Sequence, residues 1–220
     1  MSVELDHVFV CCAPGAPEAA SLARLGLTEG SPNTHPGQGT ACRRFFFGNA
    51  YLELFWVADP GEAQGERTSP TRLWERWSGR REGASPFGIV LRPSPDARER
   101  HPPFATWSYR PQYMPPDLAI EIATGTPLSE PELFYIPFAR RPDALGREPI
   151  THASGFREMS ALKVGLPAPG ALSRAARQAK AAGVLSFVTE AEHVMTLGFD
   201  GERVGEARDL RPELPLVLRW

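Results

Sequence analysis

The chain has 220 residues, a net charge of −2, 42% hydrophobic and 23% charged residues, which suits one large globular domain or two small modules with a substantial core. Such a charge balance argues against nucleic-acid binding, and no apolar run approaches the roughly 20 residues of a membrane span. The opening Met-Ser-Val-Glu-Leu-Asp-His lacks the basic and apolar regions of a secretion signal, so a cytoplasmic setting is expected. Its 23 Pro and 20 Gly are scattered between apolar runs, as in a loop-rich folded protein. Only Lys163 and Lys180 among the 24 basic residues are lysine, which points to a GC-rich, bacterial genome. Cys11, Cys12 and Cys42 form no C-x-x-C pair, so neither a zinc-thiolate site nor a thioredoxin-like motif is expected.

Val3 to Cys11 reads as the first strand, with Leu5, His7 and Phe9 on one face and Asp6, Val8 and Val10 on the other. Pro17 to Leu25 reads as a short helix closed by Gly26. After a Gly/Pro/Asn loop, Gly30 to Gly39, the stretches Ala41 to Phe47 and Tyr51 to Val57 form a hairpin around Gly48-Asn49. In the polar connection that follows, Ser69-Pro70 reads as the start of a short helix carrying Leu73, Trp74 and Trp77.

Four strands are expected next, at Phe87–Leu91, Phe104–Tyr109, Leu118–Ala123 and Leu133–Phe138, with no convincing helix between the first two. Beyond a loop with Arg140, Arg141 and Arg147 come a strand at Ala161–Leu166 and a helix at Leu172–Ala182, ended by Gly183. Strands at Val184–Val188, Val194–Phe199 and Leu214–Trp220 follow, with Asp200-Gly201 read as a hairpin turn. Residues 161–220 thus repeat the β-α-β-β-β order of residues 3–57. The expected organisation is a single unit, 1–220, with a first module at 1–57, a crossover at 58–84, a strand-rich middle segment at 85–157 and a second βαβββ-like module at 158–220.

Leu5-Asp6-His7-Val8, His35-Pro36-Gly37-Gln38-Gly39-Thr40 and Tyr51-Leu52-Glu53-Leu54 together carry a resemblance. The chain resembles a glyoxalase-like domain of the vicinal oxygen chelate superfamily, which includes glyoxalase I, extradiol dioxygenases and bleomycin-resistance proteins. This resemblance implies an α+β fold in which paired βαβββ modules form curved mixed sheets around a cleft. In metal-using members each module supplies ligands from its first and fourth strands, positions matched here by His7 and Glu53. The middle segment offers Phe87-Gly88-Ile89-Val90 and Phe134-Tyr135 where the second pair would stand, and Val217-Leu218 are no better. Such a site, with a divalent metal as cofactor, would hold two vicinal oxygens of a substrate and stabilise a developing oxyanion.

The residues have plainer readings too. Glu53 stands among Tyr51 and Phe55, where an unpaired charge is costly, so it needs a metal, a proton or a cation such as Arg43 or Arg44. The His35 loop is either a lip over the cleft or a tight connection needing positive φ at its glycines. Trp107, Tyr109 and Tyr113, beside Glu121, are either core or an aromatic wall; Glu121, His35 and His152 are candidate third ligands. No G-x-S-x-G, HExxH or dinucleotide fingerprint is present. The expected function is binding of a small, partly aromatic ligand, contacted by His35, Arg43, Trp107, Tyr109 and Glu121. The alternative is a metal-dependent lyase, isomerase or dioxygenase with His7 and Glu53 on the metal and Glu53 catalytic. A homodimer, if formed, is expected to use outer surfaces and leave each cleft within one chain.

Overall fold

The computed structural model describes residues 2–167 and 170–220. Its first half is an eight-stranded sheet. β1 (Val3–Cys11) is followed by α1 (Ala19–Arg24), β2 (Asn33–His35), β3 (Thr40–Phe46) and β4 (Tyr51–Val57). The short helices α2 (Pro60–Ala63) and α3 (Leu73–Ser78) lead to β5 (Phe87–Pro93), β6 (Thr106–Tyr109), β7 (Ile120–Ala123) and β8 (Glu132–Tyr135). The sheet order is β2-β3-β4-β1-β5-β8-β7-β6. β1 and β5 meet antiparallel at the centre, and each has the last strand of its own half as a parallel neighbour. The two halves are therefore one motif repeated, with bends and turns between β5 and β6 where the first half has α1. The expected α+β fold with paired modules in curved mixed sheets is present, and it is the middle segment that completes the first sheet.

After α4 (Pro142–Leu145), the C-terminal segment builds a separate five-stranded sheet from β9 (Met159–Pro167), α5 (Arg174–Ala181), β10 (Ser186–Glu190), β11 (Val194–Phe199), β12 (Ala207–Asp209) and β13 (Leu216–Arg219). Its order is β10-β9-β11-β13-β12. It again centres on an antiparallel pair, β9 with β11, flanked by the parallel neighbours β10 and β13. The element order resembles residues 3–57, but the strand after the helix lies directly beside the first strand, not at the far edge. Asp200-Gly201 is a turn in a short 3-10 segment leading to β12, which pairs with β13 and not with β11, so it closes no hairpin. Gly48-Asn49 does close one, between β3 and β4.

Period-two alternation divides the large sheet into two faces. Val8, Val10, Leu52, Leu54, Ile89 and Leu91 join Leu162, Val164, Leu197, Leu216 and Leu218 of the small sheet in one core. α1 adds Ala19 and Leu22, and α5 adds Ala175 and Ala179; the alanines let both helices approach closely. Each large aliphatic side chain buried there stabilises the fold by about 1.5–3 kcal/mol. A smaller cluster, with Phe9, Phe55, Val90, Ile122 and Phe134, covers the opposite, concave face, where Leu73 of α3 and Tyr109 of β6 also lie.

Candidate functional site

β1 and β4 lie side by side with Phe9 opposite Glu53 and His7 opposite Tyr51, so these four side chains share the concave face. On β1 the alternation is interrupted. Leu5 pairs with Leu91 of β5 and His7 with Val90, leaving Asp6 as an extra residue. This bulge corrects the expected faces: Leu5 packs with Val8 and Val10 in the large core, and Asp6 turns to the side of His7.

Asp6 Oδ2 lies 2.7 Å from His7 Nδ1. Asp6 Oδ1 accepts from Arg92 Nη1 at 3.0 Å; the same guanidinium donates to Glu4 Oε1 at 2.9 Å and to the Asn49 carbonyl at 2.6 Å. Arg92 is 1% exposed and Asp6 3%. A carboxylate held by an arginine can only accept, so the proton sits on His7 Nδ1 and Nε2 faces the cleft. The His7 ring stacks on Tyr51 at 4.3 Å, which fixes its plane. Burial, with Asp6 and Glu53 adding to it, pushes the Tyr51 phenol well up and keeps it neutral.

His7 Nε2 is 3.9 Å from Glu53 Oε2, beyond hydrogen-bond distance. Glu53 is buried; its other oxygen accepts from the Cys42 thiol at 3.4 Å. Burial and the Glu53 charge both push the Cys42 thiol up, so it stays protonated and donates. Neither cation expected beside Glu53 is engaged with it. Arg43 points to the other face of β3, where Nε donates to Glu29 at 2.6 Å and Nη1 to the Ala16 carbonyl at 3.2 Å. Arg44 stacks over Phe46 and reaches Ser31 and Glu148.

A cavity of about 180 Å³ opens over this pair. Phe9, Phe55, Val90, Ile122, Phe134 and Ile136 form its apolar wall. Asn33 and His35 of β2 and Gln38 of the turn after it enter from one side, with the Tyr113 ring packed on His35 at 4.8 Å, and Tyr109 and Met114 complete the lining. The turn is tight, with Gly37 at φ +78° and Gly39 at φ +73°, so the His35 loop is both a tight connection that uses its glycines and a wall of the cleft. Its polar groups satisfy one another. Asn33 Nδ2 lies 3.0 Å from His35 Nε2, His35 Nδ1 is 2.9 Å from Thr40 Oγ1, and Gln38 Nε2 donates to the same oxygen at 2.7 Å. Burial lowers the His35 pKa, which Glu53 only partly offsets, so the imidazole is neutral.

Of the residues singled out in the sequence, His7, Glu53, His35 and Tyr109 line the cavity. Trp107 stands on the same face of β6 as Tyr109, 6.0 Å away edge-on, and is not part of the wall. Glu121 alternates with Ile120 and Ile122 and so points away; it accepts from Thr106 and Ser108 on that face. His152 bridges the Thr28 amide and the Phe46 carbonyl beside Phe47 in the core. Asp6, Arg92 and Cys42, which support the pair, were not expected. A bulge gives no signal in an apolar strand, and Arg92 lies past the expected end of β5.

The ligand set for a divalent ion does not fit. The β1–β4 and β5–β8 pairings share one chain offset, His7 with Tyr51 and Gly88 with Glu132, so the second half repeats the geometry of the first. The positions it presents on that face are Gly88, Val90, Glu132, Phe134 and Ile136; the one with a donor atom, Glu132, is held by the buried Arg76 at 3.2 Å and does not line the cavity. Among the described residues, no three His, Cys, Asp or Glu side chains gather around a point that an ion could occupy. Metal sites that do chemistry typically take three protein ligands, and here two are at hand.

A model of the glyoxalase-like domain family matches residues 5–124, more than half of the chain. No curated protein sequence matches. The fold is similar to the crystal structure of a hypothetical protein from Staphylococcus aureus, with 9% identity, 100% of this chain and 98% of that chain covered, and a TM-score of 0.50. A xylose isomerase-like TIM barrel/4-hydroxyphenylpyruvate dioxygenase fusion protein shows 10% identity over 92% of this chain and 37% of its own, with a TM-score of 0.46. Strand order, paired half-sheets and the family match agree: this chain belongs to the glyoxalase-like domain family of the vicinal oxygen chelate superfamily.

Proposed function

We propose that this chain is a metal-independent binding protein for a small, partly aromatic molecule. The observation that carries the reading is the cavity itself, with an aromatic and aliphatic wall and a polar end formed by His7 and Glu53. An apolar cavity of about 150 Å³ is known to accept benzene, so about 180 Å³ suits one substituted ring. Few polar groups on a largely apolar wall are the usual composition of a ligand site. Glu53 then serves as an anchor, and His35 and Tyr109 as wall residues. The cleft is complete within one chain, so a homodimer would bury outer surfaces only.

A second reading, a metal-dependent lyase, isomerase or dioxygenase acting on vicinal oxygens, draws on the approach of His7 to Glu53 and lacks further ligands. Metal analysis of the purified protein separates the two, with well below one equivalent per chain expected. Calorimetry with single-ring aromatic fragments tests the binding reading directly. It is refuted if no fragment binds below millimolar concentration.

A further inference from the structure

Glu53 Oε2 and His7 Nε2 both face the cavity, and among the described residues neither is hydrogen-bonded. Asp6 engages the Nδ1 side of His7 and the Cys42 thiol engages the other oxygen of Glu53, so these two atoms are what the pair offers to the cavity. Their 3.9 Å separation is too long for direct contact and suits one donor group placed between them. Asn33, His35 and Gln38 are already partnered, and the Tyr113 hydroxyl donates to Gln38. A buried carboxylate without a cation is costly, and no arginine serves Glu53: Arg43 is turned away, and Arg44 is held by Phe46, Ser31 and Glu148, which leaves His7 at 3.9 Å as its nearest basic group. A cationic ligand would meet this carboxylate at the polar end of the cavity.

We propose that the ligand of this cavity is a protonated amine carried on a single aromatic ring. The inference rests on the binding reading above and adds the chemical class. An alkylammonium brings three N–H donors, enough for Glu53 Oε2 and His7 Nε2 with one to spare. A metal ion demands further ligand atoms, and the surrounding carbon surface of Val90, Phe134 and Ile136 has none to give. The same surface accommodates the ring of an arylalkylamine.

The test compares benzylamine, benzyl alcohol and benzoate by calorimetry on the intact protein at pH 7. Benzylamine is expected to bind at least tenfold more tightly than benzyl alcohol, and benzoate more weakly than either. Glu53→Gln should weaken benzylamine at least tenfold and benzyl alcohol by a smaller factor, with circular dichroism verifying the fold. The ranking on the unmodified protein stands as a test even if that variant fails to fold. Equal binding of amine and alcohol overturns this inference but leaves the aromatic-ligand reading intact. Absence of binding by all three overturns both. Zinc or manganese chloride alone binding at one equivalent and displacing benzylamine overturns it in favour of a metal site.

Discussion

Replacing Arg92 by methionine removes the group that holds Asp6 against His7. Arg92 is 1% exposed and makes hydrogen bonds to Glu4, Asp6 and the Asn49 carbonyl. Glu4 is partly exposed and its pair contributes little, within the ~0–1 kcal/mol of surface pairs. Asp6, at 3% exposure, would be left as a buried carboxylate with His7 as its remaining partner. Breaking a buried pair in this way costs about 3–5 kcal/mol. For a chain of this length that corresponds to a fall in melting temperature of roughly 6–20 °C. Urea unfolding followed by tryptophan fluorescence measures it. Adding Asp6→Asn removes the stranded charge, so the double variant should recover at least about 1 kcal/mol relative to the sum of the single changes. A loss below about 1 kcal/mol for Arg92→Met, or strict additivity in the pair, refutes the account of Arg92 as the support of the Asp6–His7 contact.

Burial lowers the pKa of His35 from 6.5, so the unfolded state takes up a proton that the folded state resists. That contribution to stability is present above the unfolded value of 6.5 and is lost as pH falls through the depressed folded value, and His35→Gln should flatten the pH dependence of unfolding below 6.5. Gly88→Ala should destabilise by about 1–3 kcal/mol and weaken aromatic-ligand binding, since its Cβ would collide with the Phe9 ring; unchanged fragment affinity and unfolding midpoint would contradict the close packing at this position. Arg43→Met and Glu121→Gln point away from the cavity and should leave fragment affinities within twofold in calorimetry.

Much of the fold was legible because alternation and turn chemistry are local. The strands Val3–Cys11, Tyr51–Val57 and Val194–Phe199 have the bounds that their apolar runs indicate, and Gly48-Asn49 marks its hairpin. His7 and Glu53 meet on one face because each obeys, near its own position, a period of two that neighbours enforce. Short elements escaped: β2, α2, α4 and β12 are three or four residues long, too short for a periodic pattern to mark them.

The sequence by itself determined which residues are apolar, where strands alternate, and that His7 and Glu53 belong to strands of one half-sheet. Only the tertiary structure decided what surrounds them. Arg43 and Arg44 were equal candidates for Glu53 until cross-strand packing sent one to Glu29 and the other to Glu148. Asp6 was assigned to the far face until a one-residue bulge against β5 brought it beside His7. Glu121 and Trp107, neighbours of the cleft in sequence, fell outside it because strand register and lateral position are set by pairing between distant segments. A charge partner is chosen by which groups come within a few ångströms after packing, and that distance is a property of the whole fold.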